Sequence, residues 1–144
     1  MRRTCLLATA LALGAGVALA QPTPVGVWKT IDDDTHAEKS LVRITEAGGV
    51  LSGKVERIFE AAKAGARCEA CTDERKGQPV LGLQIIRNAR PDAERELWEG
   101  GDILDPANGK VYRLRLKPLN GGKRLQVRGY IGPFFRSQEW LRVE

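Results

Sequence analysis

"KVYRLRLKPLNGGKRLQVRGYI", Lys110 to Ile131, is the stretch whose reading decides the fold. From Lys110 to Lys117 the side chains alternate: Tyr112, Leu114 and Leu116 share one face, and Arg113, Arg115 and Lys117 share the other. A period of two residues belongs to an extended strand with one face on a core and one in water. The cluster Asn120-Gly-Gly-Lys123 breaks the run, and Arg124 to Ile131 resumes it. Here Leu125, Val127, Gly129 and Ile131 oppose Arg124, Gln126, Arg128 and Tyr130. Two such runs about a glycine-rich turn are a β-hairpin.

The same grammar extends in both directions. Val25–Ile31, Lys39–Thr45, Val50–Phe59 and Ser137–Val143 read as strands separated by the turn clusters "DDDTH" and "EAGG" and by loops. Glu96–Leu104 reads as a strand with a bulge at Gly100-Gly101, and Pro79–Ile86 as a further apolar strand. In "DPANGK", Asp105 to Lys110, Pro and Asn-Gly mark a turn, with Asp105 a turn former. Glu60 to Gln78 shows no period and reads as one long loop. Seven or eight short strands with tight connections describe an all-β antiparallel meander, whose edges stay exposed unless it closes. An up-and-down β-barrel is the expected architecture. An immunoglobulin-like sandwich stands second, because its two cysteines would have to bridge two sheets, and Cys68 and Cys71 lie only three positions apart.

The first residues, "MRRTCLLATALALGAGVALA", combine Arg2 and Arg3, an apolar run and a small-x-small ending at Ala20. This is the pattern of a cleaved secretory signal over residues 1–20, too short and too rich in Ala and Gly for a spanning helix. A lipoprotein is not expected, since Cys5 leaves with the signal. Residues 21–144 are then expected to form a single domain located in the periplasm. Removing Arg2 and Arg3 lowers the formal charge from +5 to +3, spread along the chain, which gives no basis for nucleic-acid binding. No segment of residues 21–144 is apolar enough to span a bilayer as a helix.

The chemistry-bearing residues are few. Cys68-x-x-Cys71 lies in the long loop, and an exported location is oxidising, which favours a disulfide that staples the loop. Two other readings stay open. A metal site needs two more ligands, and the lone His36 is far away in sequence. A redox pair wants a helix N-terminus, whereas the surroundings are all-β and Glu69 disfavours a thiolate. "DDDT" lacks the alternate spacing of a calcium loop and reads as a solvated hairpin. No Gly-x-Ser-x-Gly elbow is present, so an enzyme is the third-ranked reading, with His36 and Asp102 as its least implausible players. Nothing calls for a cofactor or a metal.

Gly26-x-Trp28 on the first strand and Trp140-x-Arg142 on the last resemble the calycin or lipocalin pattern. That resemblance implies that Gly26, Trp28, Trp140 and Arg142 close one end of a barrel, a guanidinium stacking on an indole face. The blocks "PVGVWKTIDDDT", "KSLVRITE", "SGKVERIF", "CEAC", "QPVLGLQII", "GGDILDPANGKVY" and "LQVRGYIG" are similar, in order, to the bacterial family catalogued as domain of unknown function 2147. This likeness covers residues 24–142 and implies a small exported protein with a lipocalin-like barrel and no assigned activity. The chain departs from the family pattern at three places. His36-Ala37 replaces a glycine-containing turn, Leu114 stands where some members carry cysteine, and Phe135 stands where glycine usually precedes the arginine.

A barrel of about eight strands is just wide enough to be filled by side chains or to hold one small ligand. The leading expectation is a non-enzymatic binding protein of the bacterial envelope for a small amphipathic or lipid-like molecule. Arg128, with Arg43, would anchor an acidic head group, and Trp98, Tyr112 and Tyr130 would line an apolar slot. The competing expectation is a filled barrel that acts through its surface on an envelope protein partner, with Arg128 in a solvated outer stripe.

Overall fold

A computed structural model describes residue 16 and residues 22–144 of the chain. The expected signal segment lies outside the described residues. Eight antiparallel strands follow one another in chain order and close on themselves. They are β1 (Gly26–Ile31), β2 (Glu38–Ala47), β3 (Val50–Ile58), β4 (Gln84–Asp92), β5 (Leu97–Leu104), β6 (Val111–Leu119), β7 (Arg124–Ile131) and β8 (Phe134–Arg142). Closure removes the free edges that an open meander of this length would expose. It is made by β1 and β8, paired at Trp28↔Arg142 and Lys29↔Leu141.

The alternation of Lys110–Ile131 sets the wall. Leu116 lies opposite Val127 and Leu125 opposite Trp140, and all four are buried. Tight turns act where the sequence places them: Ala47 pairs with Val50 across Gly48-Gly49, both at positive φ. Asp105 accepts the backbone N–H of Ala107 at 2.9 Å and holds the β5–β6 turn. His36 adopts a left-handed φ of 58°, the conformation that a glycine-containing turn adopts easily.

The fourth strand differs from expectation. Pro79 makes only an isolated bridge to Arg67, Leu81 and Gly82 form a turn with Gly82 at φ 84°, and the strand starts at Gln84 and runs on to Asp92 through "RNARPD". This polar half shows no apolar alternation of its own. It is held by its ladder with β5, including Arg90↔Glu99 and Pro91↔Trp98. An extra residue sits between the pairs Gly53↔Ile86 and Lys54↔Gln84, so the neighbours Ile85 and Ile86 are both buried.

The bulge at Gly100-Gly101 is present as a register shift between Glu99 and Gly101. A Cβ on Gly101 would lie 2.0 Å from the Arg87 carbonyl oxygen and 2.6 Å from the Ala89 nitrogen. Since those are backbone atoms, Gly101→Ala is expected to separate β4 from β5 and to cost about 1–3 kcal/mol, measured by urea unfolding.

Candidate ligand-binding site

The two ends of the barrel are built differently. At one end Trp28 is fully buried and its indole N–H donates to the Pro24 carbonyl at 2.7 Å. The Arg142 guanidinium lies 4.2 Å from the ring centroid. It donates to the carbonyls of Thr23, Val25, Gly122 and Glu144. Burial pushes the Arg142 guanidinium below its ordinary pKa, so backbone carbonyls and an aromatic face replace its water. Gly26 leaves room for this cluster, since a Cβ there would stand 2.3 Å from the Glu144 carbonyl oxygen. Above this plug Val42, Ile44, Leu51, Leu116 and Leu125 fill the lower barrel.

The other end is open. A cavity of about 920 Å³ enters between the β1–β2, β3–β4 and β5–β6 connections. Its walls are mainly apolar, with Val55, Ile58, Ile85, Ile103, Val127 and Trp140 among them. The size falls in the range of pockets that enclose small molecules. Thr30 and Ser40 share a hydroxyl hydrogen bond at 2.7 Å, and side chains of both signs ring the mouth, with Glu60, Glu69 and Asp105 among them as well as Arg67, Arg136 and Gln138. A Cβ on Gly129 would lie 3.0 Å from the Cβ of Tyr112, so the missing side chain lets Tyr112 lie against the wall.

The residues expected to hold a ligand are mostly elsewhere. Tyr112 lines the cavity. Trp98 lies opposite Leu116 towards the closed end, packed on the core. Arg128 and Tyr130 face outward, because Leu125 and Val127 take the interior and a strand alternates. Outside, Arg128 Nε donates to Ser137 Oγ at 2.7 Å and its guanidinium lies 4.6 Å from the Phe135 ring centroid. Arg113 and Arg115 lie over the Tyr130 ring. This is the outer arginine stripe, the alternative to a ligand anchor. Arg43 is also outside, bound to Glu56 at 2.9 Å. Trp140, expected at the closed end, forms part of the cavity wall instead.

Two guanidinium groups reach the mouth, Arg136 from β8 and Arg67 from the long loop, and the sequence reading passed over both. The signal for Arg136 was available: Trp140 is buried, so Gln138 and Arg136, two and four residues before it on β8, share its face. His36 and Asp102 do not form a catalytic pair, since Asp102 bonds to Arg87 at 3.3 Å on the outer face of β5 and His36 sits in the exposed β1–β2 turn.

The long loop forms part of the cavity rim. Cys68 and Cys71 are joined in a disulfide and belong to the buried cluster with Leu83 and Leu104. Ala66, Arg67, Glu69 and Ala70 from the same loop line the mouth. The closed loop is so short that the bond restricts the unfolded chain by only about 2 kcal/mol, which makes it chiefly a local staple. A second tie is ionic: buried Arg75 grips Asp73 and donates to the Gln84 carbonyl at 2.9 Å. Hydrogen bonds from Arg75, with its charge and that of Arg87, lower the Asp73 carboxyl from 3.8 to about 2. Because the folded pKa is depressed, this tie acts fully above about pH 4 and is lost as the pH falls towards 2. Hydrogen exchange of Cys68–Val80 is expected to quicken over that window in the wild type and not in Asp73→Asn.

The family profile described as "Uncharacterized protein conserved in bacteria (DUF2147)" matches residues 26–142, from the first strand to the stacked arginine. The chain belongs to the DUF2147 family. This DUF2147 barrel resembles a solved structure described as "Protein HP1028 from the human pathogen Helicobacter pylori belongs to the lipocalin family". The two align with a TM-score of 0.72 at 16% identity, over 85% of this chain and 84% of that one. At that identity the likeness establishes a lipocalin-like fold for the DUF2147 chain. No curated protein matches its sequence at a significant level.

Proposed function

We propose that the protein is a non-enzymatic binding protein of the bacterial envelope that carries one small amphipathic or lipid-like molecule in its barrel. The observation that carries this reading is the cavity of about 920 Å³, apolar in its depth and polar at its mouth. Such a gradient suits a ligand with a hydrocarbon part and a polar end, since buried apolar surface contributes about 25 cal/mol per Å² and a polar end needs hydrogen bonds. Export is supported by the signal-like first twenty residues and by the disulfide, which persists in oxidising compartments. Among the described residues no helix is long and apolar enough to cross a membrane.

Native mass spectrometry of protein purified gently from the envelope fraction tests the proposal. A discrete adduct that vanishes on denaturation is the expected result. A bare mass, with no uptake when lipid extract is added back, would count against it.

A second reading rests on the β7–β8 hairpin, where Ile131, Phe134 and Phe135 are 45%, 73% and 59% exposed. Three neighbouring apolar side chains in water suit a contact surface for an envelope protein. If Phe134→Ser with Phe135→Ser abolishes co-purification of a defined partner while leaving the adduct in place, the two activities are separate.

A further inference from the structure

Above Lys29 the seam between β1 and β8 is joined by side chains. The two strands pair at Trp28↔Arg142 and Lys29↔Leu141, whereas β7 and β8 pair all the way from Arg124↔Leu141 to Ile131↔Phe134. At the mouth, Asp33 from the β1–β2 hairpin reaches β8. Its Oδ2 accepts from Arg136 Nε at 3.0 Å, from Arg136 Nη2, and from Gln138 Nε2 at 2.8 Å.

The hairpin does not need Asp33 for its own turn. Asp32 does that work, its Oδ1 accepting from the Asp34 N–H at 3.0 Å, the Thr35 N–H at 2.8 Å and the Thr35 hydroxyl at 3.0 Å. The Gln138 amide is oriented from below. The Trp140 indole can only donate, so it takes Gln138 Oε1, at 3.2 Å, and turns the NH₂ group towards Asp33. Arg136 and Gln138 thus present three N–H donors to one carboxylate, at the lip of an apolar cavity whose lining includes both residues. Partial desolvation of Asp33 is outweighed by these bonds, and its carboxyl lies below the ordinary value.

We propose that Arg136 and Gln138 are a carboxylate-reading subsite of the cavity, with Asp33 as its internal stand-in. The carboxylate of an amphipathic ligand takes the place of Asp33 while its hydrocarbon part enters the barrel. This assignment rests on the proposed binding function and names the class of ligand: a monocarboxylate with an apolar chain. The exchange is inexpensive, since one carboxylate replaces another on the same donors and Asp33, 39% exposed in its side chain, returns to water. Release of Asp33 also unties the seam, which gives an apolar chain a lateral way in.

The test compares dodecanoate with dodecanol as displacers of N-phenyl-1-naphthylamine, a neutral fluorescent probe. The wild type is expected to prefer dodecanoate. Arg136→Met should equalise the two affinities in a barrel that circular dichroism reports as intact. Asp33→Asn, which removes the competing charge and leaves the turn, should tighten dodecanoate binding about tenfold, the scale of one charge-assisted hydrogen bond. Equal dodecanoate affinity in the wild type and Arg136→Met overturns the subsite, and an unchanged Asp33→Asn overturns the stand-in. If the naphthylamine fails to bind the wild type, the pocket falls, and the subsite with it.

Discussion

Introducing Val55→Phe together with Val127→Trp is expected to weaken binding of N-phenyl-1-naphthylamine by roughly ten to fiftyfold. Both valines line the cavity, on β3 and β7. Larger rings in their place project into space that is open in the wild type. Excluding two or three methylene-sized pieces of a ligand forfeits about 0.8 kcal/mol each, which gives that range. The upper barrel has room for them, so the thermal midpoint should change little. The outer face provides the control, because the Arg128 side chain bonds to Ser137 and Tyr130 and lies over Phe135, away from the cavity, so Arg128→Met should leave probe binding as it is. Unchanged binding in the double variant, with loss in Phe134→Ser, would place the probe on the exposed hairpin.

Trp28→Ala is expected to be the most destabilising single substitution, at about 3–5 kcal/mol in urea unfolding. The indole is fully buried, so its removal leaves a cavity at the closed end. It also strands the Pro24 carbonyl and takes the ring from beneath Arg142. Against a net stability of about 5–15 kcal/mol for an ordinary domain, that loss is large. Trp28→Phe keeps an aromatic face under the guanidinium and loses the indole hydrogen bond, so it should cost less, about 1–2 kcal/mol. A double-mutant cycle of Trp28→Phe with Arg142→Met reads what survives of the stacking as a coupling energy. Equal losses from Trp28→Ala and Trp28→Phe would mean that the hydrogen bond, not the packing, holds the end.

Most strands were legible because their signal is local. In residues 50–55 and in Arg124–Ile131 each residue's neighbours two positions away share its face, and glycine or asparagine marks the breaks. The end of β4 was not legible, because "RNARPD" is polar and becomes a strand only when β5 supplies its ladder. The Cys68–Cys71 pairing was readable from compartment and spacing, and its place beside the cavity was not, because the long loop carries no periodicity from which to orient it.

The site separates what each level determines. From the sequence come the antiparallel barrel, the Trp28 and Arg142 end that the calycin resemblance implies, and the fact that Arg128 and Tyr130 share one face while Leu125 and Val127 share the other. A period of two leaves open which face points inward, since "RLQVRGYI" offers aromatic and aliphatic groups on opposite sides. Tertiary structure decides it: Leu125 and Val127 meet Trp140 and Gln138 across β8, and the arginines of β7 turn to water. It also decides that the upper barrel stays open, since a cavity is the difference between the space eight closed strands enclose and the side chains that enter it. No single strand carries that difference, and the Asp33–Arg136 contact joins residues 103 positions apart that meet only when the barrel closes.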